Sequence, residues 1–373
     1  MLYHHLANIA VYSYWEQKYW NKKFEFVIIG AGFTGLNCAI NIKERYPKSS
    51  VLVIDKSLRF SLASTKNAGF ACFGSPSELL SDIEKVGEEV AADLMAKRRA
   101  GINMINKQFA QLCDYRSCIS HEWFLNFDLY RKCADKLTFL NKIASEKGNT
   151  QSTFAISKKA VLSEGILGEI LINGEGQLNP YKLHEALLSK CRSINIDLLD
   201  GIKVGQVNDQ SILSSKGLEL KGETIINCTN ALSSIVFDDF EITPARAQVL
   251  ITSEIDGLPY SGNYHMDEGF YYFRNVGKRL LLGGARNEDI VGETVADLGI
   301  NPLIAKKLYE TLKRLLPDVE YEIEKSWSGI MGFTKKKTPM FKIHNGVYHL
   351  VGLNGMGVAL SFSLAKDLVA QFD

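Results

Sequence analysis

The chain has 373 residues, of which 46% are hydrophobic, enough for two ordinary globular cores at ~150 residues per domain. With 43 Lys plus Arg against 42 Asp plus Glu, the formal net charge is +1, so no global field recruits nucleic acid or an acidic membrane. Seven cysteines, at 38, 72, 113, 118, 133, 191 and 228, form no CxxC pair, and an odd, scattered set points to reduced thiols in a cytoplasm.

Residues 1–23 carry Tyr3, Tyr12, Tyr14, Trp15, Tyr19 and Trp20 among charges. No basic start leads into an unbroken apolar core, so no signal peptide is expected. No run reaches ~18 apolar residues, so no span of a membrane is expected. The aromatics suit packing of this extension onto the domain better than a membrane-surface belt.

Phe24, Phe26, Val27, Ile28 and Ile29 form an apolar run that reads as a buried strand. Gly30-Ala31-Gly32-Phe33-Thr34-Gly35 follows, then a helical segment with Leu36, Ala39 and Ile40 on one face, ended by Pro47. A second apolar run, Val51 to Ile54, delivers Asp55, about twenty residues after Gly35. The glycines answer separate physical demands. Gly30 allows a tight turn, Gly32 lets backbone approach a pyrophosphate, and Gly35 lets helix pack closely on strand. The helix N-terminus offers unpaired N–H groups and a positive dipole end. Asp55 would accept hydrogen bonds from ribose hydroxyls. The fingerprint does not choose between NAD and FAD.

Ala63-Ser64-Thr65-Lys66-Asn67-Ala68-Gly69-Phe70 packs small residues and hydroxyls together, suiting either a ligand cradle or a turn-rich surface loop. Ser77 to Leu112 reads as helix, with capping-box form at Ser81-Asp82-Ile83-Glu84 and breaks or bends at Gly87 and Gly101. Leu137 to Glu146 reads as helix, and Ala160 to Ile172 as short strands turning at Gly165 and Gly168. Ser120-His121-Glu122 shows no partner in sequence and reads as structural.

Gly174-Glu175-Gly176-Gln177-Leu178-Asn179-Pro180 imitates a second fingerprint and fails it. Asn179 stands where the third glycine belongs, and Pro180 removes a donor. Pro180 suits the first turn of a helix from Tyr181 to Cys191. One dinucleotide site is therefore expected, which counts against a pyridine-nucleotide disulfide reductase. Short strands between Ile196 and Leu220 read as a meander. Glu223 to Cys228 is another strand, ending in Thr229-Asn230-Ala231, at the edge where a doubly wound sheet binds its ligand.

From Thr243 to Trp327 the pattern turns to strands: Gln248 to Thr252, Gly269 to Arg274 and Arg279 to Gly283. Tyr271, Tyr272, Phe273 and Arg274 stand together, and Arg286 follows Gly283-Gly284-Ala285. Asn301 to Leu316 is an amphipathic helix stopped by Pro317. At the end, the strand Val347 to Val351, the loop Gly352-Leu353-Asn354-Gly355-Met356-Gly357-Val358 and the helix Ala359 to Ala370 offer a second positive helix terminus.

In this order these stretches, with Gly176-x-x-x-Pro180, Leu281-Leu282-Gly283-Gly284 and Trp327-Ser328-Gly329, resemble the FAD-dependent D-amino-acid oxidase superfamily. The likeness is to its glycine oxidase, sarcosine oxidase and gamma-glutamylputrescine oxidase side, from about Ser13 to the C-terminus. It implies a Rossmann-like α/β FAD domain with a β-meander and an α+β substrate domain whose antiparallel sheet roofs the flavin. The implied division is an extension at 1–23, FAD-binding segments at 24–82, 175–240 and 328–373, and a substrate or cap domain at 83–174 and 241–327.

The resemblance implies that Ser64 to Gly69 cradles the pyrophosphate and flavin edge, with Lys56 beside Asp55. Val204 meets adenine through its backbone, Thr229 to Ala231 line the nucleotide, and Gly329 with Asn354 to Val358 meets the flavin. The chemistry implied is oxidation of a C–N bond of an amine or amino acid, hydrolysis of the imine, and electron transfer to oxygen or another acceptor.

Several positions depart from the family pattern. No Arg follows Trp327-Ser328-Gly329, so Arg274 becomes the candidate carboxylate clamp, against a salt-bridged strand-end Arg. Tyr271, Tyr272 and Met331 join it as candidate substrate contacts. Leu280 to Leu282 replace a lysine linked to reaction with oxygen. The covalent cysteine of some members is absent, which implies non-covalent FAD. Thr334 is followed by Lys335-Lys336-Lys337, and Asn230 replaces a glycine. The alternatives are FAD-dependent oxidation of a hydroxy acid, an FAD-binding protein without turnover, and a nicotinamide-dependent dehydrogenase.

Overall fold

A computed structural model of the chain describes residues 13–59, 62–145, 152–158, 165–237 and 240–372. Tyr3 and Tyr12 of the extension, Phe60, Glu146 and residues 160–164 of the expected strand region lie outside them.

The apolar run at 24–29 is the strand Lys23–Ile29, central in a mixed sheet. The order across that sheet is Met340–His344, Val347–Val351, Glu219–Asn227, Lys23–Ile29, Val51–Ile54 and Asp197–Leu199. All pairings from Val347–Val351 to Asp197–Leu199 are parallel. Parallel strands are covered on both faces, which is why they read as unbroken apolar runs. Helices Phe33–Arg45, Pro180–Ser193 and Gly357–Val369 supply one cover. The meander of Val204–Val207 and Ser211–Ser214 supplies the other, through Ile202, Ile212, Leu218 and Leu220.

The second sheet runs Ile323–Phe333, Thr243–Thr252, Arg279–Gly284, Tyr271–Val276, Asn263–Met266, Arg116–Phe124, Gly168–Gln177 and Phe70–Ala71. Its pairings are antiparallel except that of Asn263–Met266 with Arg116–Phe124. Helix Pro302–Leu315 buries Ile304, Leu308 and Leu312 against the sheet's outer face. The sheet's inner face is left to roof a ligand.

Several local expectations are corrected. The stretch expected to be helical from Ser77 to Leu112, with a break or bend at Gly87, is two helices, Pro76–Val86 and Glu88–Phe109, parted there at φ +87°. The capping box is Ser75 with Glu78, not Ser81 with Glu84, because Pro76 fixes the first turn. Gly101 does not bend its helix; a Cβ there would collide with the carbonyl of Ala359, so the glycine lets two helices cross in backbone contact. Gly174, at φ +98°, and Gly176 lie inside the strand Gly168–Gln177 and form no strand-to-helix turn, in keeping with the failed fingerprint. Helix Phe127–Asp135 was not anticipated. Pro180 opens its helix, as expected, and Asn179 caps it. Helix Tyr14–Trp20 packs in part: Trp20 stacks on Phe24 and the Tyr19 hydroxyl donates to Asp197 at 2.9 Å, while Tyr14 and Trp15 are exposed. Among the described residues no helix is long and apolar enough to cross a membrane.

Candidate active site

The parallel strands deliver their carboxyl ends to one edge. Gly30 turns at φ +107° and its N–H donates to the Ile54 carbonyl at 2.8 Å. A Cβ on Gly30 would lie 2.7 Å from the Cys228 carbonyl, and one on Gly35 would strike the Gly30 carbonyl. Gly32 leads into helix Phe33–Arg45 without a side-chain cap, so the first-turn N–H groups have no partner within the helix. Ser64 Oγ accepts from Phe33 N at 3.0 Å. Asp55 accepts from Ala31 N at 2.7 Å and Ser57 N at 2.8 Å. Burial raises its pKa, and these two bonds oppose that rise.

A cavity of about 640 Å³ runs along this edge and under the second sheet. Its half at the strand edge is walled by Gly30, Gly32, Phe33, Thr34, Asp55, Lys56, Val204, Thr229, Asn230 and Ala231. Ser64, Lys66, Asn67 and Ala68 form its middle, and Gly329, Met331 and Asn354 to Val358 its far half. Gly35, Thr65 and Gly69 stay outside the wall. Gly69 has a packing role, since a Cβ there would strike the Leu178 carbonyl.

Cross-strand register builds the roof. His265, Tyr272, Gly283, Val249 and Trp327 are successive neighbours across five strands, so they share a face. A Cβ on Gly283 would lie 2.6 Å from the Tyr272 ring. Trp327 Nε1 donates to the Lys66 carbonyl and Ile330 N to the Leu62 carbonyl, both at 2.8 Å, so the roof grips the loop beneath it. At the far end, Asn230 Oδ1 accepts from Gly352 N at 3.0 Å and Asn354 Oδ1 from Thr334 N at 2.9 Å. These bonds set the N-terminus of helix Gly357–Val369 at the cavity wall.

The wall does not include Arg274 or Tyr271. Arg274 Nε donates to the Ala68 carbonyl at 2.6 Å and Nη2 to the Leu178 carbonyl at 3.1 Å, and burial lowers its pKa to about 10. Tyr271 Oη donates to Glu288 at 3.2 Å. Charged or titratable wall residues outside the expected site include Arg286, Glu78, His265 and Lys337, with Lys203, Glu268 and Asp297. Arg286 follows Ala285, at φ +60°, and its guanidinium lies 4.7 Å over the Phe333 ring. No ion-pair partner for it appears among the described residues. Burial lowers its pKa.

His265 Nε2 lies 3.4 Å from Glu175 and Nδ1 4.0 Å from Glu78. Burial opposes its charge, but these carboxylates raise its pKa to about 9. Glu122 is buried on Ser75 Oγ at 2.8 Å, Ser77 N at 3.1 Å and the Ser77 hydroxyl, and burial pushes its pKa to about 7. His121 pairs with Glu169 at 3.0 Å, so that segment is structural. Lys337 is half-buried, and desolvation and Lys85 lower its pKa.

The donors fit a flavin dinucleotide: an open helix N-terminus and Asp55 at one end, a second helix N-terminus and an aromatic roof at the other. The model of the DAO family, FAD dependent oxidoreductase, matches residues 25–371. A curated relative, the probable oxidoreductase OrdL of Haemophilus influenzae, is 23% identical over 92% of this chain and 81% of its own. Glycine oxidase from Geobacillus kaustophilus shares the fold with TM-score 0.77 at 18% identity, over 93% of this chain and 94% of that one. The L-alpha-glycerophosphate oxidase of Mycoplasma pneumoniae, solved with FAD bound, gives TM-score 0.71 at 14% identity, over 94% and 96%.

Proposed function

The chain belongs to the DAO family of FAD-dependent oxidoreductases, and from that premise we propose that it oxidises the C–N bond of an amine or amino acid. Bound FAD supplies the hydride acceptor, and water then hydrolyses the imine. The chain's own residues bind, orient and exclude water. The observation that carries the reading is the match of the whole fold to the DAO family and its amine- and amino-acid-oxidising neighbours; Arg286, a wall cation with no ion-pair partner among the described residues, would hold a substrate carboxylate. It replaces Arg274 as the proposed carboxylate clamp, since the donors of Arg274 are spent on backbone carbonyls. Tyr272 packs against the substrate from the roof. The N-terminus of helix Gly357–Val369 stabilises negative charge at the far end.

Non-covalent FAD is part of the proposal. Of the cysteines, Cys72 and Cys228 reach the wall; burial raises the Cys72 thiol well above normal, and the neighbouring Cys38, then burial, does the same at Cys228. The proposed domain division keeps 24–82, 175–240 and 328–373 with the flavin. Seven free thiols support a reducing, cytoplasmic setting. A hydroxy acid is the second reading, favoured by the shared fold of the glycerophosphate oxidase and by Arg286, which binds either anion. Anaerobic mixing with a panel of amines, amino acids and hydroxy acids tests the choice. Bleaching of the ~450 nm flavin band by amines supports the first reading, and bleaching by hydroxy acids alone overturns it.

A further inference from the structure

Glu78 has two duties. As the third residue of helix Pro76–Val86 its Oε2 accepts from Ser75 N at 2.9 Å, which closes the cap. The same side chain also forms part of the cavity wall. It lies against Gly269, at φ +79°, where a Cβ would come within 2.5 Å of Oε1. Any side chain at 269 would displace the carboxylate. Behind it His265, 4% exposed and also in the wall, has an Nε2 with no hydrogen-bond partner, although Glu175 stands 3.4 Å away. Two carboxylates, Glu78 and Glu175, thus flank the one imidazole of His265 at the wall. Among the described residues His265 is the ion-pair neighbour of Glu78, while Lys337 in the same wall makes no ion pair with it and feels Glu78 and Asp82 only as more distant charges, against the closer Lys85. A carboxylate so placed is stabilised by a cation arriving with the ligand.

We propose that Glu78, backed by His265 and Glu175, is the cation subsite of the cavity and receives an aliphatic ammonium of the substrate. The substrate class is then an amine that binds as its cation, with Arg286 free for a carboxylate on the same molecule. His265 and Glu175 are positioning residues that hold the Glu78 carboxylate in place. This deepens the amine reading and rests on it only for the chemistry, because binding of a cation can be measured without turnover.

The probe is tert-butylamine, which has no hydrogen on the carbon beside nitrogen and so cannot be oxidised there. Tert-butanol is its neutral counterpart of the same shape. The FAD-loaded protein is titrated with each by calorimetry and by perturbation of the flavin spectrum. In the wild type the amine is expected to bind about tenfold or more tightly than the alcohol. In Glu78→Gln, which keeps the cap because Gln serves at that position, the amine should lose that advantage and the alcohol should be unchanged. Equal binding of amine and alcohol by the wild type overturns the proposal even if the variant does not fold. So does an FAD-loaded Glu78→Gln that keeps the preference. Failure of every amine to bleach the flavin, with the preference intact, sinks the C–N reading and leaves the subsite standing.

Discussion

The Nε of Arg274 donates a 2.6 Å hydrogen bond to the carbonyl of Ala68, tying the roof strand Tyr271–Val276 to the loop beneath it. The two residues are far apart in the chain, and the bond is buried. Replacing Arg274 with Ala leaves the carbonyls of Ala68 and Leu178 without these donors, at a cost of about 2–4 kcal/mol. Thermal unfolding should show a lower Tm and easier loss of FAD, with KM for substrate little changed in the FAD-saturated enzyme. A selective rise in KM with unchanged Tm would make Arg274 a clamp after all.

Arg286 should behave in the opposite way. It is partly exposed, stacks on Phe333 and makes no ion pair among the described residues, Glu293 acting on it only as a more distant charge. Arg286→Ala should leave Tm within ~1 kcal/mol equivalent of wild type. It should raise KM for carboxylate-bearing substrates about 10- to 100-fold. Lysine should restore little of that if two parallel hydrogen bonds are used. Steady-state kinetics on a carboxylated amine and its decarboxylated counterpart separates the cases.

Gly101→Ala reverses an ordinary rule. In an exposed helix interior, Ala is favoured over Gly by about 1 kcal/mol. Here the added methyl would collide with the Ala359 carbonyl and push helix Glu88–Phe109 off helix Gly357–Val369. A destabilisation of about 1–3 kcal/mol is expected, read from denaturant midpoints. Because the second helix begins at the flavin end of the cavity, FAD retention should fall with it.

His349 sets an acid limit. It is buried, stacks on Phe240 with centroids 4.0 Å apart, and its Nδ1 accepts from Asn227 Nδ2 at 3.0 Å, as a neutral ring. Burial lowers its pKa to about 4, below the ~6.5 of an unfolded chain. The neutral ring therefore contributes its full stability above pH ~6.5, and that contribution is lost as pH falls toward about 4. Denaturation midpoints between pH 8 and 4, taken at roughly unit steps, should fall more steeply in the wild type than in His349→Asn.

The nucleotide half was legible because it is local. Gly30 to Asp55 is one strand–turn–helix–strand unit, and each glycine does its work within that stretch or against the next strand. The far loop at Gly352 to Val358 was legible for the same reason. The substrate half is built from register. His265 and Tyr272 meet only because two strands pair there, and Glu78 reaches the wall from a helix cap far upstream. Nothing in local spacing marks those meetings. Arg274 misled because an arginine on an aromatic strand looks like a clamp, whereas two distant backbone carbonyls take its donors. Arg286 carried one readable signal, the Gly283-Gly284-Ala285 before it, where the strand ends and Ala285 takes φ +60°.

The central claim is a flavoenzyme that removes hydride from a carbon bonded to nitrogen. The direct test is one anaerobic turnover with an amine, following the ~450 nm flavin band together with the products. The account predicts that bleaching is matched, mole for mole, by a carbonyl compound and released ammonia or amine. Bleaching by a hydroxy acid with no nitrogen released, while no amine or amino acid bleaches the flavin, would contradict it.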